Sequence, residues 1–299
     1  MPEEIQVSVG IAQTMISLCL GMALFSGATV AAAQEIAASA EAQTPAEVNP
    51  AEEGKLPIQY VRRPLTLPAM TLAPEVGFSV LKLPDFGRFS TDPLIGVSLG
   101  ASFGITDDLE VGVTPLPLLV SPEFEYRNPN VNATYRFLPG EFEIGARVRF
   151  FIPAQDETDP VLQMGVPMLL HLSDSFRLDT GVNFSFVFGD EATVGLLGYS
   201  DVLSIEPGVP LRATLQVTDP VFVQAGTGFG IVTFDDAGES FFMPLGVGAG
   251  YTIAGEDAPI ADITARFDFP LFLTPGSSGD AVHGDIYYLG LSGKGYFSL

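Results

Sequence analysis

The chain is 299 residues long and carries a formal net charge of −23, yet 47% of its residues are hydrophobic and its mean hydropathy is +0.34. Thirteen Lys and Arg against 36 Asp and Glu leave no basic patch to neutralise phosphates, which excludes nucleic acid as a partner. Thirty-two Gly, 23 Phe and no Trp favour β structure with many turns, and a single cysteine, Cys19, rules out a disulfide framework.

At the N-terminus, residues 11–33 read IAQTMISLCLGMALFSGATVAAA. The core from Met15 to Val30 is free of charge and ends in Ala31-Ala32-Ala33, the small-x-small pattern of a signal-peptidase site. Residues 1–33 are therefore expected to be a signal peptide, cleaved after Ala33. Glu3 and Glu4 stand where such a segment usually carries Lys or Arg, and the alternative is a single membrane-spanning helix. Cleavage would remove Cys19 and with it any thiol chemistry. Residues 34–57 are rich in Ala, Glu, Gln and Pro without apolar periodicity, too little to bury an ordered core. Residues 34–66 are expected to form a flexible, acidic periplasmic segment, with Arg62-Arg63-Pro64 leading into the first strand.

From about residue 70 apolar and polar residues alternate. In 141–152, Phe142, Ile144, Ala146, Val148, Phe150 and Ile152 share one face, and Glu143, Gly145, Arg147 and Arg149 the other. The stretches 176–188 and 261–271 repeat the pattern. Period two marks strands with two chemically different faces. Strands are predicted at 70–82, 93–105, 109–120, 129–138, 141–153, 160–172, 176–188, 202–217, 221–234, 240–254, 259–273 and 284–299. Most span about 11–15 residues, whereas strands of globular proteins cluster near 5–6. A tilted strand needs roughly 9–11 residues to cross the hydrocarbon of a bilayer. The connections alternate between short turns, such as Thr106-Asp107-Asp108 and Pro139-Gly140, and longer loops, such as 83–92 and 189–201.

On these strands and connections the chain resembles the bacterial outer-membrane β-barrel (porin-like) class. The resemblance implies an all-β fold, a transmembrane antiparallel up-and-down barrel of about twelve strands over residues 67–299, with the short turns and both termini periplasmic. It implies contact with outer-membrane lipids and lipopolysaccharide. In the final strand Tyr287, Leu289, Leu291, Phe297 and Leu299 share one face, similar to the assembly signal read by the barrel-insertion machinery; Phe297 and Leu299 would end it, although Leu299 stands where an aromatic residue is usual.

The inward face would carry Glu110, Arg136, Glu143, Arg147, Arg149, Arg177, Asp179, Glu206, Arg212, Asp262, Arg266, Asp268 and Lys294. Two uses stand open for this set: an internal charge network that rigidifies the barrel, or a constriction of opposed charges that sets selectivity. Inward glycines, Gly96, Gly100 and Gly104, Gly226, Gly228 and Gly230, and Gly246, Gly248 and Gly250, would either widen a channel or relieve crowding. The GTGFG and GVGAG runs precede no helix, so they hold no phosphate. His171 and Ser173, with Asn183 on the next strand, are similar to the His-x-Ser pair of outer-membrane phospholipase A, but the register puts His171 inward beside a short turn, as a rim histidine. No catalytic residue, metal site or cofactor is expected. The acids in the long loops, such as Asp156, Glu157 and Asp159, are expected to be solvated, with divalent cations as the alternative. The function expected is a passive pore for small solutes with a charged lumen; the alternatives are a non-conducting structural or surface-interaction barrel and, remotely, a membrane hydrolase.

Overall fold

The computed structural model describes residues 55–83, 92–121, 125–126, 128–154, 159–189, 193–199, 205–234, 240–274, 282 and 284–299. The N-terminal apolar run and residues 34–54 lie outside them, as do most of the loop acids, including Asp156 and Glu157.

Twelve antiparallel strands form a closed barrel. They are β1 (Thr71–Lys82), β2 (Leu94–Thr106), β3 (Leu109–Ser121), β4 (Asn130–Leu138), β5 (Phe142–Phe151) and β6 (Val161–Ser173). They continue as β7 (Phe176–Val187), β8 (Val209–Thr218), β9 (Val221–Ile231), β10 (Phe241–Ala254), β11 (Pro259–Leu273) and β12 (Tyr287–Gly295). Each pairs with its neighbours in sequence, and β12 returns to β1, with Tyr287 opposite Lys82 and Lys294 opposite Glu75. Closure pairs the described strands of the wall on both sides, which a wall surrounded by lipid requires because lipid offers backbone groups no hydrogen bonds.

The alternation in sequence becomes a partition between outside and inside. Along β5, Phe142, Val148 and Phe150 are exposed, while Glu143 is buried. Along β10, Leu245, Val247, Tyr251 and Ile253 are exposed, while Phe242 and Thr252 are buried. The exposed apolar side chains recur on every strand of the wall, far beyond what a water-soluble monomer shows. This is the arrangement of a barrel whose outer face meets hydrocarbon.

One predicted strand departs from the expected course. The stretch 202–217 is not continuous. β8 begins only at Val209 and pairs with the lower half of β7, from Phe176 to Thr180. Above that level its place in the wall is filled by residues 193–196. Thr193–Gly195 pairs with Ser185–Val187 of β7 on one side. On the other, Leu196 and Ile231 exchange both backbone hydrogen bonds at 2.8 and 3.0 Å, and Phe234 donates to the Val194 carbonyl at 3.1 Å. The eighth strand of the wall is thus split into 193–196 above and β8 below. Between the halves, Leu197–Tyr199 and Ile205–Pro207 pair as a small two-stranded hairpin. The split needs Gly208: a Cβ there would lie 2.1 Å from the Leu196 carbonyl oxygen, so a side chain would prevent the two halves from meeting.

The outward face of the wall makes a direct prediction. Val247 lies midway along β10 and is 57% exposed. Val247→Arg should cost about 2–4 kcal/mol of folding stability in bilayers, read as a lower denaturant midpoint, whereas Val247→Leu should leave it unchanged.

Candidate functional site

Residues 56–69 run inside the barrel, at the end where the short turns lie. This differs from the flexible segment expected up to residue 66. The physical reason is in the sequence 56–68, LPIQYVRRPLTLP. Pro57, Pro64 and Pro68 cannot donate to a ladder, so the stretch cannot join the wall; its apolar residues still gain from burial, and Leu56, Val61 and Leu67 are all buried. A short 3-10 turn, Tyr60–Arg62, sits at its centre. Met70 ends the segment with φ of +58°, the one described non-glycine residue with positive φ. There the chain reverses into β1, with the Met70 N–H donating to the Gly104 carbonyl at 2.7 Å and the Met70 carbonyl accepting from Leu299 at 2.9 Å.

Inward side chains of the wall satisfy this segment's backbone. The N–H groups of Val61, Leu65, Leu67 and Ala69 donate to Gln216, Glu143, Glu110 and Asp107, at 3.2, 2.9, 3.0 and 2.9 Å. The carbonyls of Tyr60 and Arg63 accept from Arg177 at 3.1 and 3.2 Å. His171 Nδ1 meets the Val61 carbonyl at 2.7 Å, and its Nε2 lies 3.2 Å from Glu143. Buried backbone groups need such partners, and here side chains stand in for a neighbouring strand.

The strongest anchor is Arg63. Its guanidinium makes a bidentate ion pair with Asp262, each side chain only 5% exposed. Thr252 Oγ1 and Tyr296 Oη donate to the same carboxylate at 2.8 and 2.6 Å, and both accept from Arg63. The Tyr60 ring stacks on Phe222 at 4.1 Å between centroids, and the guanidinium carbon of Arg177 lies 4.9 Å from the same ring's centroid. Two inward glycines provide the room. A Cβ on Gly104 would lie 2.0 Å from the Pro68 carbonyl oxygen, and one on Gly250 would lie 2.1 Å from the Phe222 ring. These glycines serve close packing at the inner segment rather than a wider bore.

Further along the axis the inserted hairpin enters the lumen. Ser185 Oγ, buried, donates to the Leu197 carbonyl at 2.8 Å, and Glu206 faces Arg149 at 3.9 Å. Among the described residues, two of the cavities lie inside the wall. One, of about 340 Å³, is lined by Arg147, Arg149, Arg266, Lys294, Glu75 and Glu110 among others. The second, of about 280 Å³, has Pro64 and Leu65 of the inner segment in its lining, together with Arg177, Asp179, Glu206, Arg212 and Asp268. Arg147, Arg266 and Tyr288 belong to both.

The inward residues singled out by sequence thus fall into groups. Arg136, Glu143 and Asp262 line neither cavity; Glu143 and Asp262 bind the inner segment directly, and Arg136 pairs with Glu143 at 3.2 Å and Asp108 at 2.9 Å. Glu110 and Arg177 do both, binding the segment and lining a cavity. Arg147, Arg149, Asp179, Glu206, Arg212, Arg266, Asp268 and Lys294 line cavities, with Arg177–Asp179 and Arg266–Asp268 paired at 2.7 and 2.9 Å. Phe297 and Leu299 lie on the outer face, both exposed. Sequence reasoning missed Tyr60, Arg63, Gln216, Thr252 and Tyr296. The available signal was a run of apolar residues and two arginines in 56–67, out of keeping with the Ala- and Glu-rich stretch before it. Ser173 Oγ lies 3.4 Å from Ser175 Oγ while His171 engages Val61 and Glu143, so the His-x-Ser sequence forms no nucleophile–base pair.

No protein-family model matches the chain, and no curated protein sequence matches it. Solved structures do. An outer-membrane channel from Pseudomonas putida F1 is similar over 84% of this chain and 100% of its own, at 13% identity and a TM-score of 0.52. The NanC porin matches over 76% of this chain and 99% of its own, at 8% identity and a TM-score of 0.48. Omp33 of Acinetobacter baumannii matches over 76% and 98%, at 11% identity and a TM-score of 0.41. The fold is that of porin-like outer-membrane barrels.

If the inner segment depends on the groove at Gly104, filling the groove should release it. Gly104→Ala should speed tryptic cleavage after Arg62 by about tenfold or more, as expected when local opening becomes easier by ~1.4 kcal/mol. Gly226→Ala is the control, since a Cβ there meets only the Leu211 carbonyl oxygen, at 3.9 Å.

Proposed function

We propose that this protein is an outer-membrane channel for the passive diffusion of small solutes, with its termini and short turns on the periplasmic side. The observation that carries this reading is the interior. A barrel that served only as a wall or anchor could fill its bore with packed side chains. This one keeps cavities of about 340 and 280 Å³ lined by charged and hydroxylated residues, with a hairpin of its own wall folded in beside them. Opposed charges at such a narrowing, Arg149 against Glu206, are the usual means of selecting among small solutes. The solved channels of the same fold support the reading. The apolar outward face of Leu289, Leu291, Phe297 and Leu299 supports delivery by the barrel-insertion machinery and contact with lipid.

One observation favours a second reading, a barrel that does not conduct. The inner segment is fastened on many sides of the bore, from Asp107 and Glu143 through Arg177 and Gln216 to Asp262. In the channel reading the same fastening makes residues 56–69 a plug at the periplasmic mouth. Planar-bilayer recording separates the two. Arg63→Ala removes the plug's best anchor and leaves Asp262 without its guanidinium. The channel reading expects larger or more frequent conductance steps in Arg63→Ala than in the unaltered protein. Absence of steps at any voltage in both proteins would sink it in favour of the non-conducting barrel.

A further inference from the structure

We propose that the cavity of about 340 Å³ is a binding site for a small hydroxylated monocarboxylate, held between Arg147 and Arg149 of β5 and Arg266 and Lys294 of β11 and β12. This assignment rests on the channel reading, whose solute it names by class.

Topology brings the four bases together. In a closed ring of twelve strands β5 and β11 stand opposite one another. Arg147 and Arg266 nevertheless line the same two cavities, so their side chains approach each other across the bore. Arg266 has Gly248 opposite it on one neighbouring strand and Gly290 on the other, and its guanidinium pairs with Asp268 at 2.9 Å.

The cavity is lined by four bases and two acids, Glu75 and Glu110, and three of the bases are ion-paired: Lys294 with Glu75 at 3.8 Å, Arg149 with Glu206 at 3.9 Å and Arg266 with Asp268 at 2.9 Å. Both acids are engaged: Glu75 lies 3.8 Å from Lys294, and Glu110 accepts the Leu67 N–H at 3.0 Å. Arg147 donates from Nε to Thr134 Oγ1 at 3.2 Å and makes no ion pair with any described residue. Glu206, Glu110 and Asp179 act on it only from beyond ion-pairing distance, and a guanidinium so placed, withdrawn from bulk water, favours an anion in the space it faces. Its planar fork suits a carboxylate, which accepts two parallel hydrogen bonds. Of the four bases only Arg147 makes no ion pair with a described residue, so a single negative charge fits best.

The remainder of the lining is chosen for hydroxyls. Ser98, Ser102, Asn132, Thr134, Thr264 and Ser292 all reach the cavity. Such groups both donate and accept, as sugar-like hydroxyls do. The volume, about 340 Å³, sits at the lower end of the roughly 300–1,000 Å³ found for small-molecule sites.

The test is calorimetric titration of the purified full-length barrel in detergent with three probes. Gluconate carries the carboxylate and the hydroxyls, sorbitol the hydroxyls alone, and acetate the carboxylate alone. The proposal expects gluconate to bind at least about tenfold more tightly than either of the others, the increment of one good charge-assisted contact. Arg147→Gln and, independently, Arg266→Gln should each weaken gluconate by about tenfold. Each variant is first checked for the unaltered barrel's resistance to unfolding in detergent. Sorbitol binding as tightly as gluconate would overturn the role of the bases, and acetate binding as tightly would overturn the hydroxylated class. Gluconate affinity unchanged from the unaltered protein in both folded variants would overturn the site. Conductance without gluconate binding defeats this proposal alone, whereas gluconate binding in a barrel that never conducts supports the site and defeats the channel reading.

Discussion

A wall immersed in hydrocarbon must pair every backbone N–H and C=O within itself, and the remaining structure follows from how this chain meets that demand. Twelve strands and the β12–β1 contact meet it almost everywhere. The exception is the seam between β7 and β8, where β8 starts too low to cover its neighbours. Residues 193–196 fill the gap, bonded to β7 on one side and to the end of β9 on the other. The intervening chain then has nowhere to go but off the wall. Its hairpin turns into the lumen and sets Glu206 against Arg149. A feature of the bore is thus produced by a backbone requirement of the wall.

The inner segment meets the same demand by other means. Its prolines bar it from the ladder, so its backbone groups are bonded by Glu110, Glu143, Arg177, Gln216 and Asp107. This alters what the inward charges signify. Buried ion pairs are weak evidence for stability by themselves, because desolvation offsets much of their attraction. Arg63 and Asp262 are compensated by Thr252 and Tyr296, which occupy the remaining donor and acceptor sites. The group as a whole reads as an anchor: it holds one conformation of a segment the wall cannot hold through strand pairing. The inward charges are thus arranged along the axis, with those that bond the inner segment toward the short turns, those that line the cavities beyond them, and Glu110 and Arg177 in both sets.

Much of the wall was legible in the sequence, because period two is a local signal. The strand predicted at 109–120 is Leu109–Ser121, and that at 259–273 is Pro259–Leu273. The alternation around Phe142–Phe151 gave the two faces directly. What local pattern cannot show is a strand completed by residues distant in sequence. Residues 202–217 alternate well enough to read as one strand, and only the approach of Leu196 to Gly208 reveals the break. The inner segment was illegible for a related reason. Its stability comes from groups more than a hundred residues away, such as Arg177, Gln216 and Asp262, and nothing within 55–69 names them. The inward glycines were open to two readings because the same residue type serves a wide bore and a close approach; only the position of Pro68 over Gly104 separates them.

The central claim is that residues 56–69 are folded within the barrel and bonded to its inner face. Hydrogen–deuterium exchange of the full-length protein in detergent or bilayers tests it most directly, because the N–H groups of Val61, Leu65, Leu67 and Ala69 are each assigned a side-chain acceptor. The account predicts protection of this stretch comparable to that of the β5 and β11 strands, lost in Gly104→Ala. Exchange across 56–69 at the rate of an unstructured peptide, beside fully protected strands, would contradict it.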